Sequence, residues 1–210
     1  SVLNADFQNQ KQWLAELEEA KTERIQFDIM DNKYVPNTGV ESRRIGEMRP
    51  LTRMLFEAHL MAENPELYVK DFAGMGADIF IFHFETTKNP LGLIKDIKDQ
   101  GMEAGIAVNN RTPVEKIFPF LPKVSLALVM SVESGFGGQS FNPKALEKIS
   151  RLRKKIDAEG LKCKIEVDGG INRETGKKCA DAGADVLVAG TFLFRHPKGI
   201  REAVKELRQA

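Results

Sequence analysis

The sequence predicts an α/β protein built as a (β/α)8 TIM barrel, one domain over residues 1–210. Three observations point there. Apolar, β-branched runs alternate with amphipathic stretches along the whole chain, the connections between them are short, and eight such runs fit into 210 residues. An open doubly wound sheet uses the same units, but the count and length favour the barrel. In a barrel the C-terminal ends of the strands form one ring, so residues far apart in sequence meet there.

Taken in order, Ser1-Val2-Leu3 reads as the end of a first strand. Asp6 is placed to cap the next helix, whose apolar positions include Trp13, Leu14 and Leu17. Arg24 to Asp28 (RIQFD) is the second strand, followed by a loop holding Tyr34, Val35 and Pro36. Glu41 to Leu51 holds a helix of weak pattern. Leu55 to His59 is the third strand, and Asn64-Pro65 opens a helix with proline in its favoured first turn. Ile79 to His83 is a nearly continuous apolar fourth strand. A helix from Pro90 to Gln100 stops at Gly101, and Ala104 to Val108 is the fifth strand. Thr112-Pro113 opens another helix, Ser125 to Met130 is the sixth strand, and a long basic helix runs from Lys144 to Glu159. Lys164 to Asp168 is the seventh strand, Glu174 to Ala182 a helix, and Asp185 to Ala189 the eighth strand.

Bulk properties exclude some partners. Hydrophobic residues make up 42% and charged residues 29%, ordinary for a globular protein. A net charge of +1 supplies no basic face for nucleic acid or an anionic membrane, so any phosphate site is local. Cys163 and Cys179 form neither a CxxC pair nor a disulfide framework, which suits a reducing cytoplasm, and Cys163 reads as a buried free thiol. No leader or apolar membrane span is evident. The chain begins at Ser1 without a methionine, so a few native residues are expected ahead of it.

The stretch Lys164 to Asn172, KIEVDGGIN, concentrates the chemistry. Its strand ends on Asp168, an acid that is costly to bury unless paired, metal-bound or catalytic. Asp28 and His59 end two other strands, and one His with two carboxylates suits zinc, iron or manganese. The plain alternative is that all three are strand-end polar groups that satisfy loop amides. Three glycine groups follow consecutive strands: Gly137-Gly138 in ESGFGGQSF, Gly169-Gly170, and Gly190-Thr191. Each alone is a turn, but on consecutive loops they favour a phosphate site made of backbone N–H groups. Met30, Met61 and Met130 stand at strand ends, either as core filling or as a soft wall that excludes water. His83 reads as a satisfied structural histidine, and His196 as an exposed helix-cap residue.

With these residues in hand, the sequence resembles the ribulose-phosphate 3-epimerase family. The matching stretches are SVLNADF, DIMDNKYVPN from Asp28, HLM from His59, FHFE from Phe82, LVMSVESGFGGQSF from Leu128, IEVDGGIN from Ile165 and ADVLVAGTFLF from Ala184. Their combination in this order is specific and covers essentially the whole chain. The resemblance implies a barrel enzyme that inverts C3 of a ketose 5-phosphate, most simply interconverting D-ribulose 5-phosphate and D-xylulose 5-phosphate. It implies that Asp28 and Asp168 are the two acid/base carboxylates, one on each face of a planar enediolate. It further implies one divalent metal (Zn, Fe, Mn or Co) on Asp28, His59, Asp168 and a second histidine. Ser1 and His59 are then substrate neighbours, the three methionines an apolar cup, and Gly137, Gly138, Gly169, Gly170, Gly190 and Thr191 the phosphate loops. By the same analogy a homo-oligomer is expected.

One departure bears on the metal. The family has HxD where this chain has Gln26-Phe27-Asp28, so Gln26 replaces the first metal-binding histidine. A glutamine oxygen is a weaker donor to zinc or iron than imidazole, which leaves weak binding, a harder ion such as Mn²⁺ or Mg²⁺, or function without metal. Ser134 stands in place of a proline and residues 37–49 depart from the family pattern, which bears on substrate choice. The competing readings are a relative acting on another ketose phosphate, such as allulose 6-phosphate, and a phosphosugar-binding protein that lost its metal.

Overall fold

The structure, a computed structural model, describes residues 1–209. One seven-stranded parallel sheet runs in chain order: β1 (Arg24–Met30), β2 (Leu55–Met61), β3 (Ile79–His83), β4 (Glu103–Val108), β5 (Leu126–Met130), β6 (Lys164–Asp168) and β7 (Val186–Val188). Parallel neighbours in chain order follow from repeated right-handed βα units, and here they curl into a nearly closed barrel. The expected first strand is not a regular strand. Val2 N–H donates to Gln26 O at 3.0 Å, and the Ser1 amino group donates to Ala189 O at 3.1 Å. Three residues before a turn are too few for a ladder, yet they bridge β1 and the segment after β7.

Helices cover the outside: α1 (Gln10–Glu19), α2 (Arg43–Met48), α3 (Val69–Met75), α4 (Pro90–Asp99), α5 (Lys144–Ala158), α6 (Arg173–Asp181), α7 (Thr191–Phe194) and α8 (Gly199–Arg208). Asp6 does cap, accepting from Gln8 N, but it caps a 3₁₀ turn over Phe7–Asn9 that runs into α1. Asn64-Pro65 likewise opens a 3₁₀ turn, Pro65–Tyr68, ahead of α3. The helix expected after Thr112-Pro113 is a 3₁₀ run over Val114–Lys123. Pro119 and Pro122 lie inside it, and each removes a donor and clashes with the preceding turn of an α-helix.

Strand alternation sorts the side chains into two layers. Phe27, Phe56, Phe80, Phe82, Ile106 and Val129 face outward and pack with helix residues such as Ile45, Phe72, Ile97, Ile149 and Leu152. Ile79, Ile81, Ala107, Leu126, Leu128 and Met130 form a second cluster. On three strands the alternate positions are polar: Arg24, Gln26 and Asp28 on β1, Glu57 and His59 on β2, Glu166 and Asp168 on β6. Arg24 pairs with Glu57 at 2.6 Å and lies 4.0 Å from Glu166. Burial, and after it the nearby Glu57, push the Glu166 carboxyl well above its ordinary range.

His196 is not the exposed cap expected: its side chain is 7% exposed, packs edge-on against Phe192 at 5.2 Å, and accepts from Lys198 N at 3.3 Å. Both cysteines are buried and free, and burial pushes both thiols up to about 12. Among the described residues no helix is long and apolar enough to cross a membrane.

Phe56 tests the outer layer. It is fully buried, 5.0 Å from the Phe27 ring, with the Arg49 guanidinium 3.9 Å from its centroid. Phe56→Ala should lower the unfolding free energy by about 3–5 kcal/mol. A urea melt showing a loss below about 1 kcal/mol would mean the surrounding helices close the cavity.

Candidate active site

β1, β2 and β6 carry polar residues into the barrel at their C-terminal ends because a period of two repeats the inward position. In β1 the repeat is Gln26, Asp28 and Met30; register then sets Asp28 beside His59 and Met30 beside Met61. On the far side, Met130 is level with Asp168. Asp28, His59 and Asp168 each bring one donor atom to within 4.8 Å of the others.

Gln26 lies among them. Its Nε2 donates to Asp28 Oδ1 at 2.9 Å and to Asp168 Oδ2 at 2.8 Å, and is 3.5 Å from His59 Nδ1. His59 Nδ1 donates to Asp28 Oδ1 at 2.8 Å and lies 3.7 Å from Asp168 Oδ2. Ser1 Oγ donates to Asp28 Oδ2. On the other side of His59, Nε2 shares a hydrogen bond of 2.9 Å with His83 Nε2. His83 is therefore only half satisfied as a structural residue: its buried Nδ1 has no hydrogen-bond partner and faces Glu85 at 3.6 Å. Burial holds the His83 ring down to about 4, so it is neutral at physiological pH.

The two aspartates are pushed apart electrostatically. Burial raises Asp28, but the hydrogen bond and charge of His59, with the Ser1 hydroxyl, outweigh it and leave its carboxyl below the usual range. Burial raises Asp168 as well, and the neighbouring charge of Asp28 adds to it, bringing Asp168 up to about 6. Paired carboxylates in unequal environments are what acid/base chemistry at neutral pH requires.

Above the pair opens a cavity of about 660 Å³, a size suited to a small metabolite. Ser1, Asp28, Met30, Met61, Met130, Gly137, Gly138, Asp168, Gly169, Gly170, Gly190 and Thr191 all line it. His59 and Gln26 do not; they lie beneath the carboxylates, 0% and 2% exposed. The glycine loops converge because only small residues let them approach. Gly170 has φ +63°, and a Cβ there would come within 2.6 Å of Phe141 N. Asn4 Nδ2 donates to Thr191 Oγ1 at 2.9 Å, tying the loop after β7 to the N-terminal segment.

Two contributors, Ser131 and Asn109, were not singled out from sequence. Buried Ser131 donates from Oγ to the Asp168 and Gly169 carbonyls, at 2.8 and 2.6 Å, and holds the end of β6. Its only signal was a hydroxyl directly after a strand. Asn109 donates to Tyr34 Oη and accepts from Ser134 Oγ, while Asn37 Nδ2 donates to Gly135 O at 2.7 Å. These contacts join the loop after β1 to the loops after β4 and β5, beside Gly135 of the cavity lining.

The donor set fits a divalent cation. Two carboxylate oxygens and one imidazole nitrogen are a common ligand combination for such ions. The buried Oε1 of Gln26, which has no hydrogen-bond partner, is a fourth donor if the carboxamide turns.

The chain is similar to known proteins. A family model described as "Ribulose-phosphate 3 epimerase family" matches residues 1–194. The chain is 39% identical to a ribulose-phosphate 3-epimerase of Synechocystis sp., over 100% of this chain and 92% of that protein. It is 37% identical to one of Bacillus subtilis, over 99% and 96%. Among solved structures, 3-hexulose-6-phosphate synthase superposes with a TM-score of 0.71 at 16% identity, covering 96% of this chain and 93% of that one. Orotidine 5'-phosphate decarboxylase from Pyrococcus horikoshii does so at 0.67 and 18%, covering 99% and 97%. At such identities these two speak for the fold alone, whereas the family match and its close relatives speak for descent. The chain belongs to the ribulose-phosphate 3-epimerase family.

Proposed function

We propose that the protein is a ketose-phosphate 3-epimerase, interconverting D-ribulose 5-phosphate and D-xylulose 5-phosphate. The observation that carries this reading is the unequal carboxylate pair at the floor of a cavity rimmed by three glycine loops. Inversion at C3 removes a proton from one face and returns one to the other, which needs an acid/base group on each side. Asp28 and Asp168 take these roles and exchange them each turnover.

The phosphate is held by backbone N–H groups of the loops at Gly137-Gly138, Gly169-Gly170 and Gly190-Thr191, which fixes C3 between the carboxylates. Met30, Met61 and Met130 cover the enediolate and limit its protonation by water. Ser1 and His59 hold Asp28 in its ionised form and in one orientation. Asp28, His59 and Asp168 would hold a divalent cation, with Zn, Fe, Mn or Co the family's choice, and when bound it supplies Lewis-acid stabilisation of the developing oxyanion. A phosphosugar is the one small-molecule partner this reading needs, in a cytoplasmic setting, and the enzyme acts as a homo-oligomer by analogy with its family.

The test is exchange of the C3 proton of ribulose 5-phosphate with solvent deuterium. Exchange and xylulose 5-phosphate formation should appear together and be lost in Asp168→Asn; near-normal turnover in that variant would sink the two-carboxylate mechanism. Tight phosphosugar binding with no exchange on any ketose phosphate would favour a binding protein instead.

Asp168→Asn should also stabilise the fold. An unfolded aspartate titrates near 3.9, but the folded group titrates at about 6, so ionising it destabilises the protein as pH rises between those values. In chelator at pH 7.5 the variant should exceed the wild type by roughly 2 kcal/mol in urea melts, and the gap should vanish near pH 4. Equal stability at both pH values would show that the burial of Asp168 is fully compensated.

For the phosphate loops, Gly170→Ala places a Cβ against Phe141 N in a backbone conformation unfavourable to alanine. KM should rise at least tenfold with a smaller change in kcat, because the loop contacts the non-reacting end of the substrate. An unchanged KM would remove this loop from the phosphate site.

A further inference from the structure

The gap between Asp28 and Asp168 is filled by the protein's own N–H groups, and Gln26 is the central one. Both hydrogens of Nε2 are spent, one on Asp28 Oδ1 at 2.9 Å and one on Asp168 Oδ2 at 2.8 Å. By hydrogen bonding, the amide does part of what a cation does by charge: it keeps two like-charged groups side by side. Its orientation follows from electrostatics. Reversed, Oε1 would face two carboxylate oxygens.

The arrangement leaves a debt on the other side of the same group. Oε1 is buried without a hydrogen-bond partner, and a buried acceptor left unsatisfied is unfavourable. Gln26 itself is 2% exposed, so this oxygen lies away from the open cavity. An oxygen donor is thus stored one half-turn from the carboxylates, about a terminal amide torsion that is broad and roughly two-fold. A positive ion among Asp28, His59 and Asp168 would repel the Nε2 hydrogens and attract Oε1.

We propose that the Gln26 carboxamide gates this site: Nε2 ties Asp28 to Asp168 when no cation is present, and a divalent cation enters as the amide turns to offer Oε1. The turn sends the NH₂ group into the partnerless position, so part of the cation's binding energy is used to reorient Gln26. A residue that offers a lone pair without turning binds the same ion more tightly. The proposal rests on the donor set alone, so it stands or falls independently of the sugar substrate.

The test uses the full chain, titrated with Mn²⁺ by calorimetry and with Zn²⁺ in amide-detected NMR, beside melting curves in chelator. Gln26→Glu should bind Mn²⁺ about tenfold or more tighter than the wild type. In chelator, where three acids then meet without the tie, it should melt lower by roughly 2–4 °C or more. Gln26→His should also tighten Mn²⁺ binding. Gln26→Met keeps the length but offers neither N–H nor amide oxygen; it should melt lower in chelator and gain no affinity. In the wild type, saturating Zn²⁺ should shift the paired Gln26 side-chain NH₂ signals. Unmoved NH₂ signals at saturation would overturn the gate. So would Mn²⁺ affinity equal to wild type in both the Glu and His variants, or no cation binding by any of the proteins. An unchanged melting temperature of Gln26→Met in chelator would overturn the tie.

Discussion

Everything near the centre of this barrel answers to one constraint: Asp28 and Asp168 are brought together out of water, with Asp28 3% exposed. Two such carboxylates cost several kcal/mol each unless their charge is met by donors. The donors are supplied from four places in the chain, Ser1, Gln26, His59 and, through His59, His83. The bond from Gln26 to Asp168 forms only if the barrel closes, since β1 and β6 are not neighbours in the sheet. Closure falls to the N-terminal segment, where Val2 and Ser1 bond to Gln26 and Ala189. The same three residues that fail to form a strand therefore help set the separation of the carboxylates.

The compensation is uneven, and that unevenness is chemical. Asp28 receives bonds on both oxygens, from His59 and Gln26 on one and Ser1 on the other. Asp168 receives only Gln26 on its Oδ2 and keeps 17% of its side chain open to the cavity. One acid is thereby biased toward the carboxylate and its partner toward the protonated form. Arg24, Glu57 and Glu166 lie on the same strands further from the cavity, and burial without a close partner raises the Glu166 carboxyl well above its ordinary range. The acids at the cavity floor thus stand over a second polar set, with Arg24 paired to Glu57, rather than over an apolar plug.

Much of this was legible in the sequence. Strand and helix spacing is a property of local pattern, so seven of the eight strand-like runs and the long α5 were readable from period and turn residues. The exceptions have local causes of another kind. Ser1–Leu3 pairs through single bonds on each side, and Pro119 and Pro122 turn an apolar helical pattern into a 3₁₀ run. For the site, Asp28, His59 and Asp168 could be chosen because strand ends converge in any barrel, and the family's motifs marked the glycines and methionines. Contacts that depend on three-dimensional approach were not readable. Gln26 was visible as a substitution, but its two bonds to the carboxylates and its stranded oxygen belong to packing. Ser131 and the Tyr34–Asn109–Ser134 chain join segments 25 to 75 residues apart, beyond any local pattern.

That last chain has a mechanical consequence. Tyr34, Asn109 and Ser134, with Asn37 on Gly135 O, fasten the loops after β1, β4 and β5 to one another. Gly39 φ +63° and Gly135 φ +114° supply the left-handed backbone that lets these loops turn beside the fastened points. Loops bonded in this way do not fluctuate singly; loosening one strains the bonds to the other two. The three loops are then one mechanical unit, so a substitution at any of these four side chains is felt in loops far from it in sequence.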